Sequence, residues 1–533
     1  MASSALAPDK VIVNANVITI DARNPRAQAL AIKSGKFAAV GENKDVESLA
    51  GPGTEVLNLA GKTVVPGFID AHIHVMSTGI KMVSSMVDCE LPSIGQVQED
   101  LRLRARDTAP GQWVMGFKYD DTKTVEGRMP SRWELDEVSR DHPVIVTHRA
   151  GLMSSVNGKG LEAFGVTRDS AGPISGPHER DPESGEPNGV LYEAGEERVR
   201  FFVLSQASME ERREGLKKIT EMYAAAGLTS VHDAMVMPEE VSVYQEAWAR
   251  DELLLRVYML VHENYFESFR SAGIRTGLGD EKLRWGGIKL TNDGGIATRT
   301  AYLSEPYVGS SEHGLKLFEQ GELDEKIRRI HEAGYQACVH SNGDAAIDMT
   351  LRAFERAQET HPRHGARHRI EHCTVVNPDI LRRIKALGVV PTPFGAYAYQ
   401  HGEKMAFYGE ERARWMFAHR SFLDYGIPCT GASDFTASPF EPLLGIQCCV
   451  TRTDREGRVW GPNQRVSIEE ALRIYTLNGA YASFEEDVKG SITPGKLADL
   501  VVLGQDPTAV DPFAIKDIPI EMTVVGGEAV YER

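Results

Sequence analysis

The stretch Val64–Val75, VVPGFIDAHIHV, reads in its apolar part as a buried β-strand, yet it carries a Pro-Gly pair, an Asp and two histidines two positions apart. Side chains alternate along an extended chain, so His72 and His74 project to one face, where both can bind one ion. A site built that way needs further ligands from elsewhere in the chain.

Working outward, seven more β-branched or apolar runs end in polar residues or Gly: GLTSVHDA, LLLRVYMLV, LRWGGIKLTNDGG, YQACVHSNGD, HRIEHCTVV, VVPTPF and IPCTGASDF. Between them lie amphipathic segments such as Met209–Gly227, Glu322–Gly334 and Asn377–Gly388, each closing on a Gly suited to a helix C-cap. Strand and helix repeated eight times predict an α/β fold, a (β/α)8 TIM barrel over residues 63–484, with polar strand ends gathered at its C-terminal mouth. The flanks, 1–62 and 485–533, alternate at short intervals between turns and predict a small composite β-sandwich domain built from both chain termini. Residues 77–208 exceed what one βα unit needs, so they are expected to form an insertion after the first barrel strand that caps the mouth.

Composition narrows the function. The 533 residues are 42% hydrophobic and 25% charged, as in a globular protein. A formal charge of −17 disfavours nucleic acid and anionic membrane surfaces. Neither a signal peptide nor a membrane span is evident, so a cytoplasmic protein is expected. Cys89, Cys338, Cys373, Cys429, Cys448 and Cys449 lack CxxC spacing and are expected as buried free thiols.

Further strand ends carry metal-capable groups. Lys289 ends the fourth strand, His340 the fifth and His372 the sixth, and Asp434 follows the eighth. Each alone has an ordinary reading, as a snorkelling lysine, a core histidine or a turn aspartate. Together at one barrel mouth with His72 and His74 they suggest a metal centre, with Lys289 able, once neutral, to take up CO2 and bridge two metals as a carbamate. His232 and His262 end the second and third strands; spacing leaves them open as ligands, and pocket wall or outer support is the expected role. Trp113, Phe117, Tyr119, Phe394, Tyr397, Tyr399 and Phe435 are candidates for an apolar substrate cavity, and Asp70 has no assigned role.

These motifs resemble the metal-dependent amidohydrolase superfamily, and within it the amidohydrolase family 3 group that includes N-substituted formamide deformylases. GKTVVPGFIDAHIHV, GEPNGVLYE, IKLTNDGGIATRTAYL, VHSNGDAAID, HRIEHCTVV, ASDFTASPFEPLLGIQ and GSITPGKLADLVVL are similar to blocks of that group, in the same order. The resemblance implies metal ligands at His72, His74, Lys289, His340 and His372, with Lys289 as N6-carboxylysine, and a catalytic carboxylate at Asp434. It implies one or two Zn2+ ions, or another divalent metal, and by analogy a homodimer. Two departures fall on the substrate side: Leu152 where a His is usual, and DGGIATRT in place of DGSLGS.

The expected activity is hydrolysis of the C–N bond of a small, fairly apolar N-formyl or N-acyl amine by metal-activated water. Substrate contacts are expected from Trp113, Phe117, Tyr119, His232, Tyr397 and Phe435. The alternatives are a deaminase or cyclic-amide hydrolase of the same superfamily, and a noncatalytic binding protein on the same fold.

Overall fold

The computed structural model describes residues 7–83, 86–149, 153–169, 178–192, 202 and 204–533. The chain forms two compact units, one of Met1–Val75 with Lys217–Arg533 and one of Met76–Leu216. All six cysteines are buried free thiols. Among the described residues no helix is long and apolar enough to cross a membrane.

Both chain ends build the sandwich of the first unit. One sheet runs in the order Lys36–Gly41, Ala29–Lys33, Lys10–Val13, Glu55–Asn58; the other joins Thr63–Pro66 to Asn16–Ile18 on one side and to C-terminal Leu500–Leu503 on the other. The period-2 rule sorts the side chains. Ile12, Leu30 and Ile32 enter a shared core with Val64, Leu500 and Val502, while Val11, Val13, Ala29 and Ala31 turn to the other face against Val46 of a short helix.

The opening stretch is therefore two strands, not one. Thr63–Pro66 belongs to the sandwich, Phe68–Ile73 opens the barrel, and the chain passes between them at Gly67, where a Cβ would run into the Thr229 side chain. Six parallel neighbours follow in order: Leu228–Val236, Arg256–His262, Leu283–Thr291, Ala337–Ser341, Arg369–His372 and Val390–Thr392. The eighth run is a bridge rather than a regular strand. On one side Thr430 N donates to Pro391 O at 3.2 Å and Gly395 N to Ala432 O at 3.0 Å; on the other, Ala71 N donates to Gly431 O at 3.0 Å and Asp434 N to His72 O at 2.8 Å. These bonds close the ring. Asp70, buried beneath the joint, supports it: one carboxylate oxygen accepts from His72 N at 3.0 Å and Ser433 N at 3.2 Å.

The outer helices follow from local sequence. In Pro378–Leu387 the Asn377 side chain accepts from the amides of Asp379 and Ile380, Pro stands at the start, and Gly388 ends the helix with φ +63°. Its apolar stripe of Ile380, Leu381 and Ile384 is buried. Helix Gln320–Glu332 brings His331 against His368 at the foot of the sixth strand. Ala337 N donates to His368 Nδ1 at 2.9 Å, so the His368 proton sits on Nε2 and meets His331 Nδ1 at 2.8 Å; His331 Nε2–H then donates to His361 O at 2.7 Å. The relay requires both rings to be neutral.

Two expectations follow. Asp70→Ala leaves two buried amides without that acceptor and should cost about 1–3 kcal/mol, read as a lower urea midpoint. Burial holds the pKa of both His331 and His368 below the ordinary value, whereas in the unfolded chain both take up protons below about pH 6.5. The unfolded state then binds more protons, so the relay's stability is complete above about pH 6.5 and is lost as pH falls below it. Urea midpoints at about pH 7.5 and about pH 5 should differ less in His331→Gln/His368→Gln than in wild type; an equal difference would remove the relay from the acid response.

Candidate metal centre

Strand alternation and ring closure bring six of the proposed side chains to one end of the barrel. His72 and His74 lie on and just after the first strand, with ring centroids 5.7 Å apart. The closing segment sets Asp434 Oδ1 3.0 Å from His74 Nε2 and 3.5 Å from His72 Nε2. Both rings have their other nitrogen engaged: His74 Nδ1 donates to Ala234 O at 3.0 Å, and His72 Nδ1 to Glu371 Oε2 at 2.5 Å. Each Nε2 therefore carries the lone pair toward Asp434. Two imidazole nitrogens and a carboxylate oxygen in this grouping could hold a metal ion, and the donor set suits zinc.

The remaining candidates adjoin this group. The His372 ring lies 4.9 Å from that of His72 and 4.2 Å from that of His340. His372 Nδ1 is buried without a hydrogen-bond partner, as a neutral imidazole is where it is to serve as a ligand. Burial holds the His372 pKa well down, and it takes His340 to about 3. Donation from His340 Nε2 to Gly294 O, at 3.2 Å, leaves its Nδ1 with a lone pair. Lys289 is buried on the fourth strand, in register with His262 on one side and Cys338 on the other. Two of these residues leave the strand pattern, with φ +69° at His372 and +52° at Asp434. For His372 this has a clear consequence: it follows inward-facing Glu371 and would otherwise point out of the barrel.

Sequence reading missed the residues that support the centre. Glu371 immediately precedes His372 and is bound by Arg369, whose Nε lies 2.7 Å from Oε1 and whose Nη2 donates to Oε2 at 2.8 Å. Burial alone would raise the Glu371 carboxyl, but Arg369 and His72 bring it down to about 2. Burial disfavours protonation of His72 as well, yet Glu371 and Asp434 together outweigh it and raise the basicity of the ring. Asp293 accepts from Asn342 N, Gly343 N and Tyr302 N at 2.9, 2.8 and 2.9 Å, tying the loop after Lys289 to the end of the His340 strand. The signal was present in the RIEH alternation, which puts Arg369 and Glu371 on one face.

Several expected substrate residues have other roles. His232 is fully buried, and its Nδ1 accepts from Arg369 Nη1 at 2.9 Å, so it belongs to the support beneath the centre and not to a pocket wall. His262 Nδ1 caps a short turn by accepting from Asn264 N. Tyr119 is also fully buried, its hydroxyl donating to Arg128 O at 2.6 Å in the core of the second unit, which leaves no surface for a substrate. In that unit Trp113 packs on Phe164 and Phe202, and Phe117 is half-buried beneath Lys118. In the first unit, the Phe394 ring meets His372 at 4.5 Å and stacks with Tyr397, which also stacks on Phe417 at 4.7 Å. Phe435, partly exposed, follows Asp434 and rests against Phe440. Tyr399 carries Arg455 over its ring, and Leu152 lies outside the described residues.

Among the described residues, Asp120, Asp121 and His148 form another group of metal-ligand type, in the second unit. There the Asp120 carboxylate already lies 3.9 Å from Lys123 Nζ and 3.8 Å from Arg149 Nη1, so two cations meet its charge.

Comparison with known proteins agrees with the barrel. The amidohydrolase family pattern matches residues 55–531. The chain is 31% identical to N-substituted formamide deformylase of Arthrobacter pascens over 98% of both chains. Among solved structures, an uncharacterized metal-dependent hydrolase from Pyrococcus horikoshii superposes with a TM-score of 0.77 at 25% identity, covering 95% of this chain and 99% of that one. Its counterpart from Pyrococcus furiosus gives 0.74, also at 25% identity, covering 94% and 99%. The chain belongs to the amidohydrolase family, and is a metal-dependent hydrolase of carbon–nitrogen bonds other than peptide bonds.

Proposed function

We propose that the protein cleaves the C–N bond of a small, fairly apolar N-formyl or N-acyl amine, with Zn2+ held by His72, His74, His340, His372 and a carboxylated Lys289, and with Asp434 as the catalytic acid and base. The convergence of His72 Nε2, His74 Nε2 and Asp434 Oδ1 carries this reading. The formamide deformylase relative, matched from end to end, supports the substrate class.

When bound, a divalent metal lowers the pKa of its water from 15.7 to about 7 and polarises the scissile carbonyl. The chain's own residues supply the rest. Glu371 and Ala234 O fix the two ring tautomers, so that both lone pairs face the centre without rearrangement. Asp434, held by its own backbone bond to His72 O, accepts the proton of the attacking water at Oδ1 and delivers it to the departing nitrogen. Phe435, partly exposed and next to Asp434, offers apolar surface at the centre, and Phe394 and Tyr397 pack buried beside His372, which favours a neutral amide over a charged one.

A panel of N-formyl and N-acyl amines, assayed with Zn2+-loaded protein, should release amine and carboxylate in equal amounts and lose activity with chelator. Ammonia released from an otherwise intact skeleton would favour deamination instead, and no turnover across the panel would favour a binding protein. Asp434→Asn should keep its metal while kcat falls by roughly 10²–10⁴; unchanged turnover would remove Asp434 from the chemistry.

A further inference from the structure

We infer that the buried Arg369–Glu371 pair is a positioning device for His72, fixing both its ring tautomer and the backbone that carries it. The inference rests on the reading of His72 as a metal ligand.

Arg369 and Glu371 stand two apart on the sixth strand, face the barrel interior together, and are both wholly buried. That position in a TIM barrel is ordinarily filled by branched aliphatic side chains. A buried ion pair there is not explained by stability, because well-packed apolar residues of similar volume commonly serve as well or better. Its contacts offer a different reason. The carboxylate takes the Nδ1 proton of His72 at 2.5 Å, so the Nε2 lone pair must face the centre. The guanidinium donates to Oε2 and lies in ion-pair contact with Oε1, which stops Glu371 from turning toward the centre as a competing ligand. The same Nη2 donates at 2.5 Å to Ala71 O, the carbonyl immediately before His72, and Nη1 donates to His232 Nδ1 at 2.9 Å. One side chain thus holds the ligand from two directions: through Glu371 it sets the ring, and through Ala71 it sets the strand. Arg369 and Glu371 are positioning residues, since neither donates to the centre itself.

The test is the Zn2+ dissociation constant of the full chain, measured by competition with a chromophoric chelator, alongside the thermal midpoint of the metal-free protein and the visible spectrum with Co2+. Glu371→Ala should bind Zn2+ about 10–100-fold more weakly and change the Co2+ spectrum. Glu371→Gln, whose amide oxygen still accepts from Nδ1, should lose less. The apolar replacement Arg369→Met/Glu371→Leu separates the two roles: a positioning pair predicts an unchanged or raised thermal midpoint together with weakened Zn2+ binding, and a structural pair predicts the reverse. Folded Glu371→Ala protein that binds Zn2+ within about twofold of wild type would overturn the inference, that factor lying well below the loss expected for an outer support. His72→Ala distinguishes this from failure of the ligand reading: if it too keeps wild-type affinity, His72 is not a ligand at all.

Discussion

The joint between the first barrel strand and the segment Thr430–Asp434 is the constraint on which the remainder depends. Seven parallel strands leave two open edges, and an open edge exposes unpaired amides and carbonyls. The closing segment meets both edges with two backbone bonds on each side, too few and too irregular for a strand but sufficient to complete the ring. The same bonds place Asp434 over the histidines, because the amide of Asp434 is itself one of the donors to the first strand. Closure of the fold and assembly of the candidate centre are one event.

This linkage explains why polar groups crowd the interior beneath the centre. Asp70, Arg369, Glu371 and His232 are all buried, and each lies against the first strand or against a neighbour that does. Asp70 holds the amides of His72 and Ser433, and Arg369 holds Ala71 O. An apolar interior would fill the volume but could not fix ring tautomers or the register at an irregular joint. The polar column accordingly carries desolvation costs that a purely structural barrel avoids.

Much of the architecture was legible from period and punctuation alone. Eight runs with polar ends, separated by helices that stop at Gly227, Gly334 and Gly388, define the barrel, and all three glycines adopt positive φ. The HxH pair was legible because alternation by two is the simplest geometric rule in a strand. Three features were not. The break at Gly67 was hidden because Thr63–Pro66 and Phe68–Ile73 are adjoining extended runs, both buried, and the close packing of Gly67 against Thr229 between them is not visible in sequence. Glu371 was overshadowed by His372, since a strand carboxylate has no signature until its partner, nearly 300 residues away in sequence, is known. The substrate reading of Tyr119 and the pocket-wall reading of His232 failed for the opposite reason: the chemistry of both side chains suits a substrate pocket, and burial, which sequence does not show, removes them from it.

The candidate centre and its specificity are carried by different kinds of structure. The metal-capable groups sit on or directly after barrel strands, whereas the aromatic rings packed near His372, Phe394 and Tyr397, come from the segment after the seventh strand. The loop after Lys289 belongs to the second kind, and it contains DGGIATRT. Asp293 ties the start of this loop, through Tyr302 N, Asn342 N and Gly343 N, to the end of the His340 strand, and Gly294 O accepts from His340 Nε2, which leaves variation in shape to the loop residues beyond Gly294. A chain can therefore keep the hydrolytic arrangement at 31% identity to a relative while differing from it in the substrate accepted. The physical reason is that strand ends tolerate little displacement in a site that depends on lone-pair direction, and connecting loops tolerate a great deal.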